Sequence, residues 1–264
     1  MLQAFIIWPK AGCWLGCALI LLAGWSPAAQ SAISLSHTRL IISASDREAT
    51  PWVSNDGAHP VLLQVWMDTG EREADLRRIA VPFVVAPPLS RLEPGATKRL
   101  RILYNGNASV PQDRESVYWL NVLEIPPKAD AEAEGGPSRL QLSFRIRVKV
   151  FYRPEGMEPP GENAHEKLVF ELRRHGQEGV VRVTNPTAVH QTLLDVAIGA
   201  DRQHAVATSK RPDDMIAPHA SIELPVKLNG PAALAEARAF YSVINDYGSV
   251  ALGEQDIRSI AGPQ

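Results

Sequence analysis

The stretch Arg145–Pro154 reads RIRVKVFYRP, and it decides how the whole chain is to be interpreted. Basic and apolar side chains alternate in it, and a period of two predicts a β-strand with one buried face. Leu140, Leu142 and Phe144 extend the apolar series toward the N-terminus. The other face is expected to be solvated unless distant parts of the chain supply partners for its cations. These cations are Arg145, Arg147, Lys149 and Arg153.

Similar runs recur along the chain, with proline and glycine between them. They cover residues 61–67, 81–88, 97–105, 116–125, 140–152, 167–172, 179–185, 192–198, 221–228 and 239–246. Helical periodicity is nearly absent, and short strands at this spacing predict an all-β protein built from sandwiches. The segment 154–164 (PEGMEPPGENA) holds three prolines and two glycines. It therefore predicts a stiff connector between two domains.

The N-terminal segment 1–31 differs in composition from the rest. Its only charged side chain is Lys10, and its apolar run 14–25 (WLGCALILLAGW) is short for a membrane span but typical of a secretory signal. We expect a signal peptide over 1–31, with a retained membrane anchor as the alternative. The predicted domains are then 32–154 and 155–264.

Composition excludes several classes of function. Both cysteines, Cys13 and Cys17, lie in the signal segment, so the cleaved chain forms no disulfide and depends on its packed cores. Cleavage removes only Lys10 and leaves 26 basic against 29 acidic side chains, which gives no indication of nucleic-acid binding. The seven histidines show no metal-ligand spacing, and no nucleophile or phosphate-loop motif occurs. The sequence therefore predicts no enzyme, no metal and no cofactor.

Four motifs, in this order, resemble the periplasmic chaperones of the chaperone–usher pathway, the PapD-like family. They are PPLSRLEPG (87–95), PQDRESVYWLNVLEIPP (111–127), KVFYRP (149–154) and INDYG (244–248). The opening ISLSHTRLII (33–42) also fits the first strand of that family. The resemblance implies two immunoglobulin-like β-sandwich domains in an L-shaped arrangement. A secreted immunoglobulin-like adhesive or structural module is the alternative, because a fold does not dictate a function.

In function, the resemblance implies a periplasmic chaperone for pilus or fimbrial subunits that lack their final strand. It would bind, fold and cap them by donor-strand complementation and deliver them to an outer-membrane usher. The lent strand would be 139–150, and the side chains that fill the subunit groove would be Leu140, Leu142, Phe144 and Ile146. The alternative is that these side chains face their own core. So apolar a segment also allows self-association, in which a second copy of the chain binds through the same strand.

The resemblance also implies an anchor for the C-terminal carboxylate of the subunit, formed by Arg39 and Lys149. Two cations that converge in a partly water-excluded cleft would make charge-assisted hydrogen bonds to one carboxylate. Strict alternation, however, places Lys149 on the opposite face from Leu140 and Phe144. Either a bulge or a twist intervenes near 145–147, or the cleft receives side chains from both faces.

Arg153 has a structural assignment by the same resemblance, in an interdomain salt bridge with Glu115 and Asp246. Arg145 and Arg147 have no such assignment, and we expect them on a solvated face. The loop between Pro127 and Leu140 has twelve residues, which favours the short-loop class of these chaperones.

Overall fold

The computed structural model describes residues 32–71, 79–106, 109–127, 142–161, 163–175, 177–228 and 237–261. The predicted signal segment 1–31, the loop after Pro127 and Leu140 lie outside the described residues. In the ranges that the structure describes, no helix has the length and apolar character needed to cross a membrane. The one helical element in these ranges is a short 3₁₀ helix, Ala164–Lys167.

The N-terminal domain is a sandwich of short strands. In chain order they are β1 (Ile33–Leu35), β2 (Arg39–Ser43), β3 (Glu48–Ala49), β4 (Trp52–Asn55), β5 (Val61–Asp68), β6 (Phe83–Ala86), β7 (Leu89–Leu92), β8 (Thr97–Arg99), β9 (Arg101–Tyr104), β10 (Ser116–Ile125) and β11 (Arg145–Arg153). One sheet has the order β2-β11-β10-β5-β7, and two smaller sheets have the orders β1-β4-β8 and β3-β9-β6. Alternating apolar side chains from all three sheets meet in one core, which includes Ile42, Leu63, Ile102, Leu120 and Val150.

The C-terminal domain has a core of its own. Its strands are β12 (Val169–His175), β13 (Glu178–Thr184), β14 (Gln191–Gly199), β15 (Ala205–Ile216), β16 (Ser221–Lys227), β17 (Arg238–Ile244) and β18 (Val250–Ala261). They form one sheet in the order β15-β14-β17-β18-β12-β13-β16. β18 pairs with β17 up to Asp256 and with β12 from Ile257 onward, so it joins the two halves of the sheet. Between the halves, Phe170 and Tyr241 are fully buried with ring centroids 4.7 Å apart.

Two separate cores confirm the predicted all-β class with two immunoglobulin-like domains. Every run predicted as a strand overlaps a strand of the structure. The predicted first strand, 33–42, is interrupted, because β1 ends at Leu35 and β2 begins at Arg39. The L-shaped arrangement and the domain limits 32–154 and 155–264 stay predictions.

Candidate functional site

Strand β11 keeps a strict alternation of faces over its whole length. It pairs antiparallel with β10 from Arg145 to Tyr152 without a shift of register. The alternative of a bulge near 145–147 is therefore wrong. Val148, Val150 and Tyr152 enter the domain core, and Ile146 packs against it, while the basic residues occupy the opposite face.

Arg39 and Lys149 are nearest neighbours on adjacent strands. β2 runs parallel to the second half of β11, and this pairing starts with Arg39 opposite Lys149. The Arg39 guanidinium donates to the carbonyl oxygen of Ile244 at 3.0 Å and to Oγ1 of Thr192 at 3.5 Å, both in the C-terminal domain. The two predicted anchor cations thus lie together, at the junction of the two domains.

A cavity of about 300 Å³ opens at this junction. Among the described residues that line it there are three cations and no carboxylate. The lining residues are Thr38, Arg39, Trp119, Arg147, Lys149, Ile244 and Gly248. Gly248, in the INDYG turn, has a φ of +79°, and a Cβ at this position would lie 2.4 Å from Oγ1 of Thr38. Glycine therefore suits this turn of the C-terminal domain, which packs against Thr38, the residue before β2.

Arg147 is the basic residue that sequence reasoning misplaced. Its side chain is only 15% exposed, and Nη2 donates to Oδ1 of Asp68, itself 3% exposed, at 3.0 Å. Nε donates to Oδ1 of Asn121 at 3.1 Å. The expected solvated position is wrong for Arg147, because β5 ends in an acid on the same face. Arg145 is exposed, as expected.

The outer edge of β11 changes character at Lys149. From Lys149 onward β2 covers it, whereas residues 145–148 pair only with β10 within the part of the chain that the structure describes. Just before the strand, the predicted groove-fillers Leu142 and Phe144 are 51% and 36% exposed. Ile146 packs partly against its own core, and Leu140 lies outside the described residues. The structure thus exposes two of the four predicted groove-fillers beside a strand edge that pairs with no other described strand.

A second charged cluster joins the two domains. Arg153 Nε donates to Oε2 of Glu115 at 2.8 Å, and Nη1 donates to Oδ2 of Asp246 at 2.8 Å. Glu115 Oε1 also accepts from the backbone N–H of His190 at 2.9 Å, and His190 Nδ1 lies 2.9 Å from the same oxygen. The structure brings the predicted trio together and adds His190, which no sequence pattern distinguishes from the other six histidines.

The electrostatics of this cluster favour a permanently charged Arg153. Burial opposes the charged form, but hydrogen bonds and attraction from Asp246 and Glu115 outweigh it, and the pKa of Arg153 is raised above its usual value. The side chain of Glu115 is 1% exposed, so loss of Arg153 would leave a buried acid without its cationic partner.

Comparison with known proteins gives the same family for both domains. Residues 32–158 match the family described as pili and flagellar-assembly chaperone, PapD N-terminal domain, and residues 163–255 match the C-terminal domain of the pili assembly chaperone PapD. Among relatives, the chaperone protein FimB/FhaD of Bordetella pertussis is 40% identical over 239 residues, which cover 89% of this chain and 91% of the relative. The probable fimbrial chaperone YadV of Escherichia coli is 37% identical and covers 84% and 88%.

Solved structures agree with these relatives. The CupB2 chaperone of Pseudomonas aeruginosa has a TM-score of 0.67 and 33% identity, and covers 85% of this chain and 100% of its own. A chain of the Salmonella enterica SafA pilin–SafB chaperone complex has a TM-score of 0.68 and 25% identity, and covers 87% and 98%. The predicted resemblance and the role in pilus assembly are confirmed, and the chaperone is favoured over the adhesive module. The chain therefore belongs to the PapD family of pili assembly chaperones, which is not an enzyme class.

Proposed function

We propose that the protein acts in the periplasm, where it binds, folds and caps pilus or fimbrial subunits by lending them a strand. It then delivers them to an outer-membrane usher, and it performs no catalysis. A pilin–chaperone complex among the similar structures supports a subunit as the partner. The observation that carries the proposal is the position of Arg39 and Lys149 side by side at the point where the pairing of β2 with β11 begins.

A subunit strand added to this edge would lie in line with β2. It would pair with β11 over residues 145–148, run parallel to β11, and end where Arg39 begins. Backbone hydrogen bonds would supply affinity that does not depend on sequence. The terminal carboxylate would meet Arg39 and Lys149 in the cavity between the domains, where charge-assisted hydrogen bonds are stronger than at an open surface.

Leu142 and Phe144 supply the apolar part of the interaction. Their exposure leaves apolar surface in water, and burial in the open groove of a subunit would contribute roughly 1.5–3 kcal/mol for each side chain. Ordering of the two chains offsets part of this gain. Leu140 and Ile146 would extend the same row. Self-association through this segment is a second way to cover it and would compete with a subunit.

Co-expression with a pilus subunit in the periplasm tests the proposal. We expect the subunit to co-purify with the chaperone and to be degraded without it. Leu142→Glu and Phe144→Glu should each prevent capture, because a charge would enter the apolar groove. Val84→Glu is the matched control, since Val84 is also exposed but lies on β6. Normal capture by both of the first two variants would place the lent strand elsewhere.

A further inference from the structure

The cleft-facing surface of the five-stranded sheet carries two rows of cross-strand neighbours. The first row consists of Arg39, Lys149, Trp119 and Asp68. The second row contains Arg147 beside Asn121. The Cζ of Arg147 lies 4.7 Å from the centroid of the Trp119 ring, and the Nζ of Lys149 lies 5.5 Å from it. The indole therefore contacts both cations, and each contact is favourable.

Asp68 ties these rows together. Its Oδ1 accepts from the Gly70 N–H at 2.8 Å and from Arg147, and its Oδ2 accepts from Nδ2 of Asn121 at 2.7 Å. Gly70 has a φ of +110°, and a Cβ there would lie 2.9 Å from Nε1 of Trp119. The turn that follows β5 therefore packs its backbone directly on the indole, and Arg147 contacts the same ring.

The charge of Asp68 has a consequence for the neighbouring cavity. The buried carboxylate of Asp68 is compensated by the Arg147 guanidinium, and the Gly70 N–H and the Asn121 amide also donate to it. Without Arg147, a negative charge would remain in the same row as Lys149, on the far side of Trp119. It would attract the Lys149 ammonium and repel an incoming carboxylate.

We infer that Arg147 is a positioning residue of the carboxylate anchor: it neutralises Asp68 and holds Trp119, and so directs Lys149 toward the chain end of the bound subunit. This inference rests on the proposed function, since it needs a carboxylate at Arg39 and Lys149. Arg147 acts through Asp68 and Trp119, not through a bond of its own to the ligand.

Carboxylate preference is the measurement that tests the inference. The probe is a short synthetic peptide in which valine alternates with serine, once with a C-terminal carboxylate and once with a C-terminal amide. The ratio of the two dissociation constants is measured for the wild type, Arg147→Gln, Asp68→Asn and the double variant, with Arg145→Gln as control on the same strand face. A change that only weakens the fold affects both peptides alike and leaves the ratio unchanged.

We expect the wild type and Arg145→Gln to prefer the carboxylate. Arg147→Gln should lose roughly tenfold of that preference, because an uncompensated charge stays nearby. The double variant should recover the wild-type preference, and Asp68→Asn should prefer the carboxylate more strongly than the wild type does.

No preference in the wild type would overturn the anchor itself. An unchanged ratio in Arg147→Gln, with the wild-type preference present, would overturn only the positioning role. A carboxylate preference in the double variant as low as that of Arg147→Gln would show that Arg147 contacts the ligand directly. Should Arg147→Gln fail to fold, Asp68→Asn decides, since a ratio no higher than that of the wild type contradicts the inference.

Discussion

Strand β11 contributes to two charged clusters on one face, and they have opposite designs. At its C-terminal end, Arg153 is enclosed by Glu115 and Asp246. At its middle, Lys149 and Arg39 line a cavity whose described lining contains no carboxylate. The first cluster joins the domains through an ion-pair network, whereas the described lining of the second is cationic, as a site for an anion would be. The acids of the first cluster come from distant parts of the chain, which the sequence of the strand itself does not reveal.

The largest expected effect comes from breaking the enclosed cluster. Arg153→Met leaves Glu115 buried without its cation, and we expect a loss of about 3–5 kcal/mol in the free energy of unfolding. Urea denaturation measures it. Glu115→Gln combined with Arg153→Met should lose less, because no buried charge is left. Equal stability of Arg153→Met and the wild type would contradict the structural role.

Substitutions in the cluster of Arg39 and Lys149 should change binding and not stability. Lys149→Ala should weaken the capture of a pilus subunit about hundredfold, because one of two cations for the carboxylate is lost. Its free energy of unfolding should stay within about 0.5 kcal/mol of the wild type. Arg145→Ala, on the same face and exposed, is the matched control and should capture normally. Equal capture by Lys149→Ala and this control would remove Lys149 from the site.

A smaller effect should distinguish the two acids of the enclosed cluster. Asp246 is 48% exposed, so water screens its pairing with Arg153. Asp246→Asn should therefore cost less than about 1 kcal/mol of unfolding free energy. Calorimetry of Asp246→Asn beside Glu115→Gln tests this order, and a larger loss for Asp246→Asn would reverse the assignment of the buried partner.

A further expected effect concerns pH and separates packing from ion pairing. Burial raises the pKa of Tyr152 in the first domain and of Tyr241 in the second to about 12 each. A raised pKa means that their contribution to stability is complete below the usual value of about 10 and is lost as the pH rises toward 12. Phenolate absorbance followed together with circular dichroism should show these two rings ionising as the fold is lost. Their ionisation near pH 10 in a fully folded protein would contradict it.

Sequence patterns predicted some elements well and others poorly, for a physical reason. Strand β10 has the predicted limits, 116–125, because its alternation and its flanking turn residues are local signals. β18 was not predicted, since its outward face mixes Val250 and Leu252 with charged residues and hides the period. Periodicity identified the face of Arg147 correctly. It could not reveal that Asp68, far away in sequence, covers that face.

The same limit applies to the candidate site. The motifs indicated Arg39, Lys149 and the trio around Arg153 only through the family resemblance, and the structure places each set together. His190 was missed because a buried histidine has no sequence signature of its own. Trp119 was missed as a neighbour of Lys149, since their contact depends on the pairing of β10 with β11. Gly70 was missed as a neighbour of Trp119, since that contact depends on the pairing of β10 with β5.

The start of β2 opposite Lys149 has a consequence for selectivity. Under the proposed function, a subunit strand paired with β11 from residue 145 would end where β2 begins, at Arg39. Binding of this kind would depend on the position of the C-terminus of the subunit and not on its amino-acid sequence. One chaperone would thus bind many unrelated subunits in the same strand register. A subunit extended by one residue at its C-terminus would be shifted by one residue in that register along its whole length.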